Sequence, residues 1–260
     1  ISWVTMSKRL INGSPQTEQR RQERLLVLME RRFGRLLAAE VARASRVMLQ
    51  QYEANGSAPS LPENHARNVA DIYRQMTFMA VEVFGERIVS QGKSRGLLLE
   101  TKSFAEFFAR LASEYVNGEA IRQRITSVTD TTRTSIIGQI RRGQDEGLGT
   151  RAIAKLINSS VGGISRMRGA LIARTETHGA ANYGADGAAR ATGLKLRKEW
   201  VAAEDERTRE SHRLAAASGP VGMDQAFNVD GEQLMYPGDP LASAGNVINC
   251  RCAVSHIVDD

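Results

Sequence analysis

Only two cysteines occur in the 260 residues, Cys250 and Cys252, with a single residue between them. That excludes a disulfide framework. A bridge joining the two would close a very small, strained ring, so reduced thiols in a cytosolic setting are expected. Aromatic residues make up 5% of the chain, so the core has to be built from Leu, Ile, Val and Ala. No apolar run approaches the roughly 18 residues of a membrane helix. An early apolar segment with a small-residue cleavage site is also missing, which argues against export by a signal peptide. There is no Gly-rich phosphate loop, no oxyanion-hole signature, no internal repeat and no low-complexity tract. Nor does the chain carry a helix-turn-helix, a zinc finger or an aromatic stacking pattern, which weighs against a stand-alone nucleic-acid-binding module.

What the chain does have is an ordinary soluble composition, 42% hydrophobic and 25% charged, laid out with a marked charge polarity. Residues 1–143 carry a net charge of +8, residues 144–198 of +5 and residues 199–260 of −7. A basic leading part is attracted to nucleic acid or to an acidic protein surface.

Hydrophobic periodicity predicts mostly helix. After a polar lead-in over residues 1–15, one long helix is expected over 16–54, carrying Leu26, Met29, Phe33, Leu37 and Val41. Much of its remaining surface is arginine, and Arg20, Arg21, Arg24, Arg31, Arg32 and Arg35 are the candidate contacts to DNA or a partner. Further helices are expected over 63–91, 103–116 and 118–142, that over 103–116 opened by Ser103 and Glu106 as a capping box. A short helix from Thr150 to Ile157 should end before Gly162-Gly163, and another should run from Ser165 to Ala191. This last helix turns almost wholly small from Gly179 to Ala189, which lets another backbone lie close. Beyond it, Leu194, Leu196 and Trp200 fit a strand face that Lys198 interrupts, and residues 205–216 fit a short helix. Residues 219–246 show little regular pattern, and 248–258 alternate as a terminal strand. The expected fold is thus α+β and predominantly helical, with a helical arm (16–143) leading into a compact C-terminal module (144–260) that contains a few short strands.

Two constellations carry possible chemistry. The first is Arg174, Glu176, Asp205, Arg207, Arg209 and His212, read as an ion-pair and hydrogen-bond network. A helix over 205–216 would stack residues 205, 209 and 212, and Glu176, on the preceding helix, is the available carboxylate for a buried arginine. The bland reading is a structural clamp; the sharp one is a catalytic or binding site. The second is His212 with Cys250 and Cys252, whose donors suit zinc. Their spacing departs from the usual two to four residues between cysteines. His256 is a poor fourth ligand, about 13 Å from Cys252 in a regular strand. Asp205 or Glu210 would need the fold to bring them round. Buried, inert thiols are the favoured reading, with no cofactor.

In order along the chain stand Thr129, Thr132, Ile136, Ile140, Gly143, Gly147, Ile153-Ala154 and Ile157, then Ile172-Ala173-Arg174-Thr175-Glu176, Asn182 and Gly184. Trp200, Asp205, Arg207, Arg209, His212 and Asn249-Cys250-Arg251-Cys252 complete the series. This ordered set, over about residues 115–255, resembles the Mu F-type minor head proteins of tailed bacteriophages. The resemblance implies a structural protein rather than an enzyme, acting in head morphogenesis and in DNA packaging or delivery. It implies the portal protein and capsid or scaffold proteins as partners, with packaged DNA a further one and no membrane. It also implies a place in the virion, inside the capsid near the portal vertex, after assembly in the host cytoplasm. The alternative is a metal-assisted hydrolase or toxin-like transferase using Arg174, Glu176, His212, Cys250 and Cys252, which would have to line an open cleft.

Overall fold

The computed structural model describes residues 15–94 and 104–259. Four helices come first: α1 (Pro15–Asn55), α2 (His65–Ser94), α3 (Phe104–Asn117) and α4 (Glu119–Asp145). Each end falls within three residues of the position that periodicity predicts, because each helix has an unbroken apolar stripe to bury. The stripe of α4 is inward as expected, with Ile121, Val128, Thr132, Ile136 and Ile140 all buried. The expected Ser103 cap and the lead-in up to residue 14 lie outside the described residues.

A single 41-residue helix follows, α5 (Thr150–Arg190). The predicted break at Gly162-Gly163 does not occur. Two glycines cost about 1 kcal/mol each relative to alanine, a penalty that tertiary packing overrides. On either side of the pair, Val161, Ser165 and Gly169 are buried, and α1 crosses here so closely that a Cβ on Gly169 would lie 2.4 Å from the Gly34 carbonyl oxygen. The small-residue half packs the same way: a Cβ on Gly184 would stand 2.7 Å from the Cα of Val81 in α2. One cluster joins Leu26, Phe33 and Leu37 of α1, Tyr73 and Met76 of α2, Val128 of α4 and Ala173 and Ala180 of α5. The helices over 15–145 therefore wrap α5 and share its core.

The remainder is β1 (Leu196–Val201), α6 (Glu210–Ala217), β2 (Val221–Gly222), β3 (Phe227–Val229), β4 (Glu232–Leu234), α7 (Ala244–Val247) and β5 (Ala253–Val258). An antiparallel sheet of order β2-β1-β5 sets Trp200 opposite Val254 and Lys198 opposite His256. Residues 219–246 are more regular than their composition suggests. Asp230 and Gly231 both take positive φ, 55° and 81°, the geometry of a tight hairpin turn, and join β3 to β4. Lys198 does not interrupt the strand. It is wholly buried, its Nζ donating to the Met235 carbonyl at 2.8 Å and lying 5.5 Å from the Phe227 ring centroid. The terminal strand starts later than alternation predicts, because Asn249 sits at φ 61° and turns the chain. Alternation also fails within it: Ala253 through His256 are all buried, since β5 pairs with β1 and is also covered by α5 and α1.

Candidate functional site

The charged residues singled out in the sequence do not form one network; they are drawn into separate knots. Arg174 does not meet Glu176. Residues two apart on a helix point to different sides, so the two reach different neighbours. Arg174 Nε donates to Glu30 of α1 at 3.0 Å, and its Nη1 donates to Asn249 Oδ1 at 2.9 Å. His178 Nε2 lies 3.1 Å from the other Glu30 oxygen. Burial opposes ionisation of Glu30, but His178 and Arg174 outweigh it and hold the carboxyl below its ordinary value. Thr175 accepts the Asn249 backbone N–H at 3.0 Å. Arg174 and Thr175 together therefore grip the left-handed Asn249, a conformation asparagine tolerates better than most residues.

Glu176 faces the opposite way and pairs with Arg124 of α4, at 3.3 Å from each oxygen. Arg124 also donates to the Pro240 carbonyl at 3.3 Å. Burial dominates at Glu176 and pushes its pKa up, with Arg124 opposing. The pair borders a cavity of about 270 Å³ whose walls include Tyr73, Val128, Ile172 and Ile248.

Asp205 is not on a helix. It sits in a turn before α6, accepting the Arg207 N–H at 3.0 Å, so residues 205, 209 and 212 do not stack as expected. Its partner is Arg251, whose Nη2 donates to Oδ1 at 2.7 Å, with Glu23 of α1 3.6 Å from the same guanidinium. That hydrogen bond, against a desolvation cost, brings the Asp205 pKa to about 2. Arg209 lies at the N-cap of α6 and donates to the Ile248 carbonyl at 2.7 Å. Arg207 remains on the surface, 4.0 Å from Asp205.

The third knot is His212 with the two thiols. His212 Nδ1 lies 3.4 Å from Cys252 Sγ and 3.6 Å from Cys250 Sγ, and all three residues are buried. The Cys252 thiol is pushed well down, first by its hydrogen bond from Cys250 and then, against burial, by His212. Cys250 is pushed well up by the same bond and by burial. The other donors considered are engaged elsewhere: His256 faces Asp186 at 3.4 Å, Asp205 holds Arg251, and Glu210 pairs with Arg213 at 3.3 Å. Arg174, Glu176 and the His212 group therefore do not line a common cleft.

Asn182 ties these parts together. Its Oδ1 accepts Gln22 Nε2 at 3.1 Å and the Val254 N–H at 3.0 Å, and its Nδ2 donates to the carbonyls of Pro237 at 2.9 Å and Cys252 at 3.0 Å. The partners that sequence reasoning overlooked are Gln22 and Glu30 in α1 and Arg124 in α4. A signal was available. Gln19, Gln22, Glu30 and Glu40 are buried residues at core-facing spacings among Leu26, Phe33 and Leu37, and Arg124 lies between Ile121 and Val128 on the inward stripe of α4. A polar residue on a core-facing stripe announces a buried partner.

The six α1 arginines singled out in the sequence, Arg20, Arg21, Arg24, Arg31, Arg32 and Arg35, are all exposed. Leu25, Leu28 and Leu36 are exposed among them.

No solved structure shows a significant match to the chain. Among curated proteins, NAD(+)--arginine ADP-ribosyltransferase EFV of Enterococcus faecalis is 26% identical over 157 residues, a match that takes in 59% of this chain and 32% of that protein. The chain thus spans about a third of that relative's length. Residues 134–255 match the family described as Phage Mu protein F like protein, and both gripping residues of α5, their Asn249 partner and the His212 group fall inside that span. Through this segment, a little under half of its length, the chain is similar to the Mu F-like phage head morphogenesis proteins.

Proposed function

We propose that the chain is a structural minor head protein that works at the portal vertex. In this reading the family's motif residues clamp the fold, and the outer face of α1 meets the partner. The observation that carries the first part is the closure of the motif: Arg174, Glu176 and Asp205 are each satisfied by a residue of another element. Side chains consumed in this way lock helices to turns and leave no free charge poised over a substrate. The second part rests on α1, where these six exposed arginines stand among the exposed Leu25, Leu28 and Leu36. Such a face suits a partner surface that is acidic and partly apolar, such as a portal, capsid or scaffold protein.

The test is co-expression with the portal protein of the same phage, followed by purification of the portal ring. The chain should copurify, and the triple change Arg24→Glu, Arg31→Glu, Arg35→Glu should abolish the association while leaving the circular dichroism spectrum unchanged. Retention of the triple variant would remove α1 from the interface, and failure of the unaltered chain to copurify would remove the portal reading. Packaged DNA is the further partner that the same face suits. Each phosphate neutralised contributes about −0.9 to the slope of log K against log salt, so a gel-shift titration with no binding at low salt would end that part.

The match to the ADP-ribosyltransferase gives the enzymatic reading its one specific support. It covers only a third of that protein, and the buried, mutually satisfied charges of this chain weigh against chemistry. Release of nicotinamide from NAD by the purified chain would overturn the structural reading.

A further inference from the structure

His212 presents one ring nitrogen, Nδ1, to both thiols, at 3.4 Å from Cys252 and 3.6 Å from Cys250. Nδ1, which either donates one proton or offers one lone pair, is thus shared between two sulfurs. A single ion held between the three atoms produces the same arrangement. Zinc–sulfur and zinc–nitrogen bonds of about 2.3 and 2.0 Å set tetrahedral sulfur and nitrogen donors about 3.5 Å apart. All three donor atoms lie within 4.8 Å of one another.

The other ring nitrogen supplies a second, independent observation. His212 Nε2 is buried without a hydrogen-bond partner. A tautomer with its proton on Nε2 frees the Nδ1 lone pair to point at the space between the sulfurs, where a metal ion would receive it. The ring is held in that attitude by an edge contact to Trp200, centroid to centroid 5.3 Å. Charge agrees with burial. Two thiolates balance a divalent cation and the imidazole stays neutral, so the assembly can be buried without an uncompensated charge.

From this geometry we infer that His212, Cys250 and Cys252 form a zinc site that fastens the Asn249–Cys252 turn to α6. Thiolate and imidazole donors select a soft or borderline cation over magnesium or calcium. Among the described residues no fourth His, Cys, Asp or Glu joins the group, so the remaining position falls to a small ligand such as water. Burial of all three donors closes the ion to substrate and makes it a staple. The role is distinct from portal binding, and either reading can fail without the other.

The experiment uses the full chain, purified under reducing conditions and exchanged into metal-free buffer. Elemental analysis should find about one zinc per chain, and replacement by cobalt(II) should give the thiolate-to-cobalt charge-transfer band and tetrahedral ligand-field bands. Cys250→Ser, Cys252→Ser and His212→Gln should each lose the charge-transfer intensity wholly or in large part, and Glu210→Gln should keep it. Where a variant fails to fold, the unaltered protein still decides: stripping with a chelator should lower its melting temperature and zinc should restore it. Less than about a tenth of an equivalent of zinc, with no charge-transfer band on cobalt addition and no shift in melting temperature, overturns the proposal and leaves a hydrogen-bonded thiol cluster. Full retention of the cobalt spectrum in the cysteine variants overturns it equally, since the metal would then lie elsewhere.

Discussion

The two halves of α5 are built on opposite plans. Over Thr150–Arg168 the helix is amphipathic, with Ile153, Ile157 and Val161 inward and Leu156, Ile164 and Met167 exposed, the last to 77%. From Thr175 to Ala189 nearly every residue is buried, yet this is where Glu176, His178, Asn182 and Asp186 sit. Each of these four reaches a partner in another element: Arg124, Glu30, Gln22 with Val254, and His256. Apolar stripes tell a helix which side is inward. Buried polar side chains tell it which neighbour belongs against it, because only the right neighbour satisfies them. Of the motif residues, Thr175, Glu176, Asn182 and Gly184 fall in the second half, which makes that stretch a docking code for elements far apart in sequence.

The sharpest way to break that contrast is to silence the most connected of these residues. Asn182→Ala should destabilise the fold by about 3–5 kcal/mol, since four buried hydrogen-bonding groups lose their partner at once. Asn182→Asp should also be costly, because a carboxylate would face the carbonyls of Pro237 and Cys252 where an amide now donates. Urea unfolding followed by circular dichroism measures both. A loss below about 1 kcal/mol for the alanine variant would mean that the polar half of α5 does not specify docking.

Packing in the same half gives the next effect. Gly184→Ala places a methyl group 2.7 Å from a backbone carbon of α2, which side-chain rearrangement cannot relieve. Overpacking of this kind costs about 1–3 kcal/mol, and the same unfolding measurement reads it.

The helices were legible in the sequence because each carries a continuous apolar stripe, and the tight packing of residues 179–189 was legible because they are small. The continuity of α5 was not. Local propensity argues for a break at Gly162-Gly163, and what prevents it is the crossing of α1 about 130 residues earlier in the chain, whose position no local pattern reveals. The site was half legible for the same reason. Arg174, Glu176, Asp205 and Asn249 stood out, but spacing alone did not say which residue each would meet. The partners of Arg174 and Glu176, Glu30 and Arg124, were visible only as polar residues on inward stripes. The Asp230-Gly231 hairpin was readable and went unread, hidden in a segment whose glycines and prolines suggested irregular chain.

Two carboxylates in the motif should respond to pH with opposite sign. The pKa of Glu176 is raised in the fold by burial, against the pull of Arg124. Its contribution is fully present below the ordinary carboxylate range and is lost as pH rises through the folded value. Asp205 is depressed to about 2, chiefly by its bond to Arg251. Its contribution is present above the ordinary value near 4 and is lost as pH falls toward 2. Relative to the unaltered chain, Glu176→Gln should therefore gain stability as pH rises from the ordinary carboxylate range toward neutrality. Asp205→Asn should cost about 1 kcal/mol or less at neutral pH, after solvent screening of this partly exposed group, and nothing near pH 2. Unfolding free energies at a series of pH values decide it, and parallel curves for all three proteins would contradict both assignments.

The smallest effect returns to the glycines and has the opposite sign to Gly184. Nothing lies within 4 Å of a Cβ built on Gly163, and its backbone is helical. Gly163→Ala therefore adds no clash and removes conformational freedom from the unfolded chain, a gain of about 0.5–1 kcal/mol. Both substitutions add one methyl group to the same helix, 21 residues apart. If both stabilise, the close approach of α2 to Gly184 is absent from the protein in solution. If both destabilise, the glycine pair is needed for something other than helix continuity, such as a bend that α5 adopts on meeting its partner. A rise for Gly163→Ala together with a fall for Gly184→Ala is the result the packing requires. It would place the difference between the two halves of α5 in what lies against the helix, because the helix itself is the same in both.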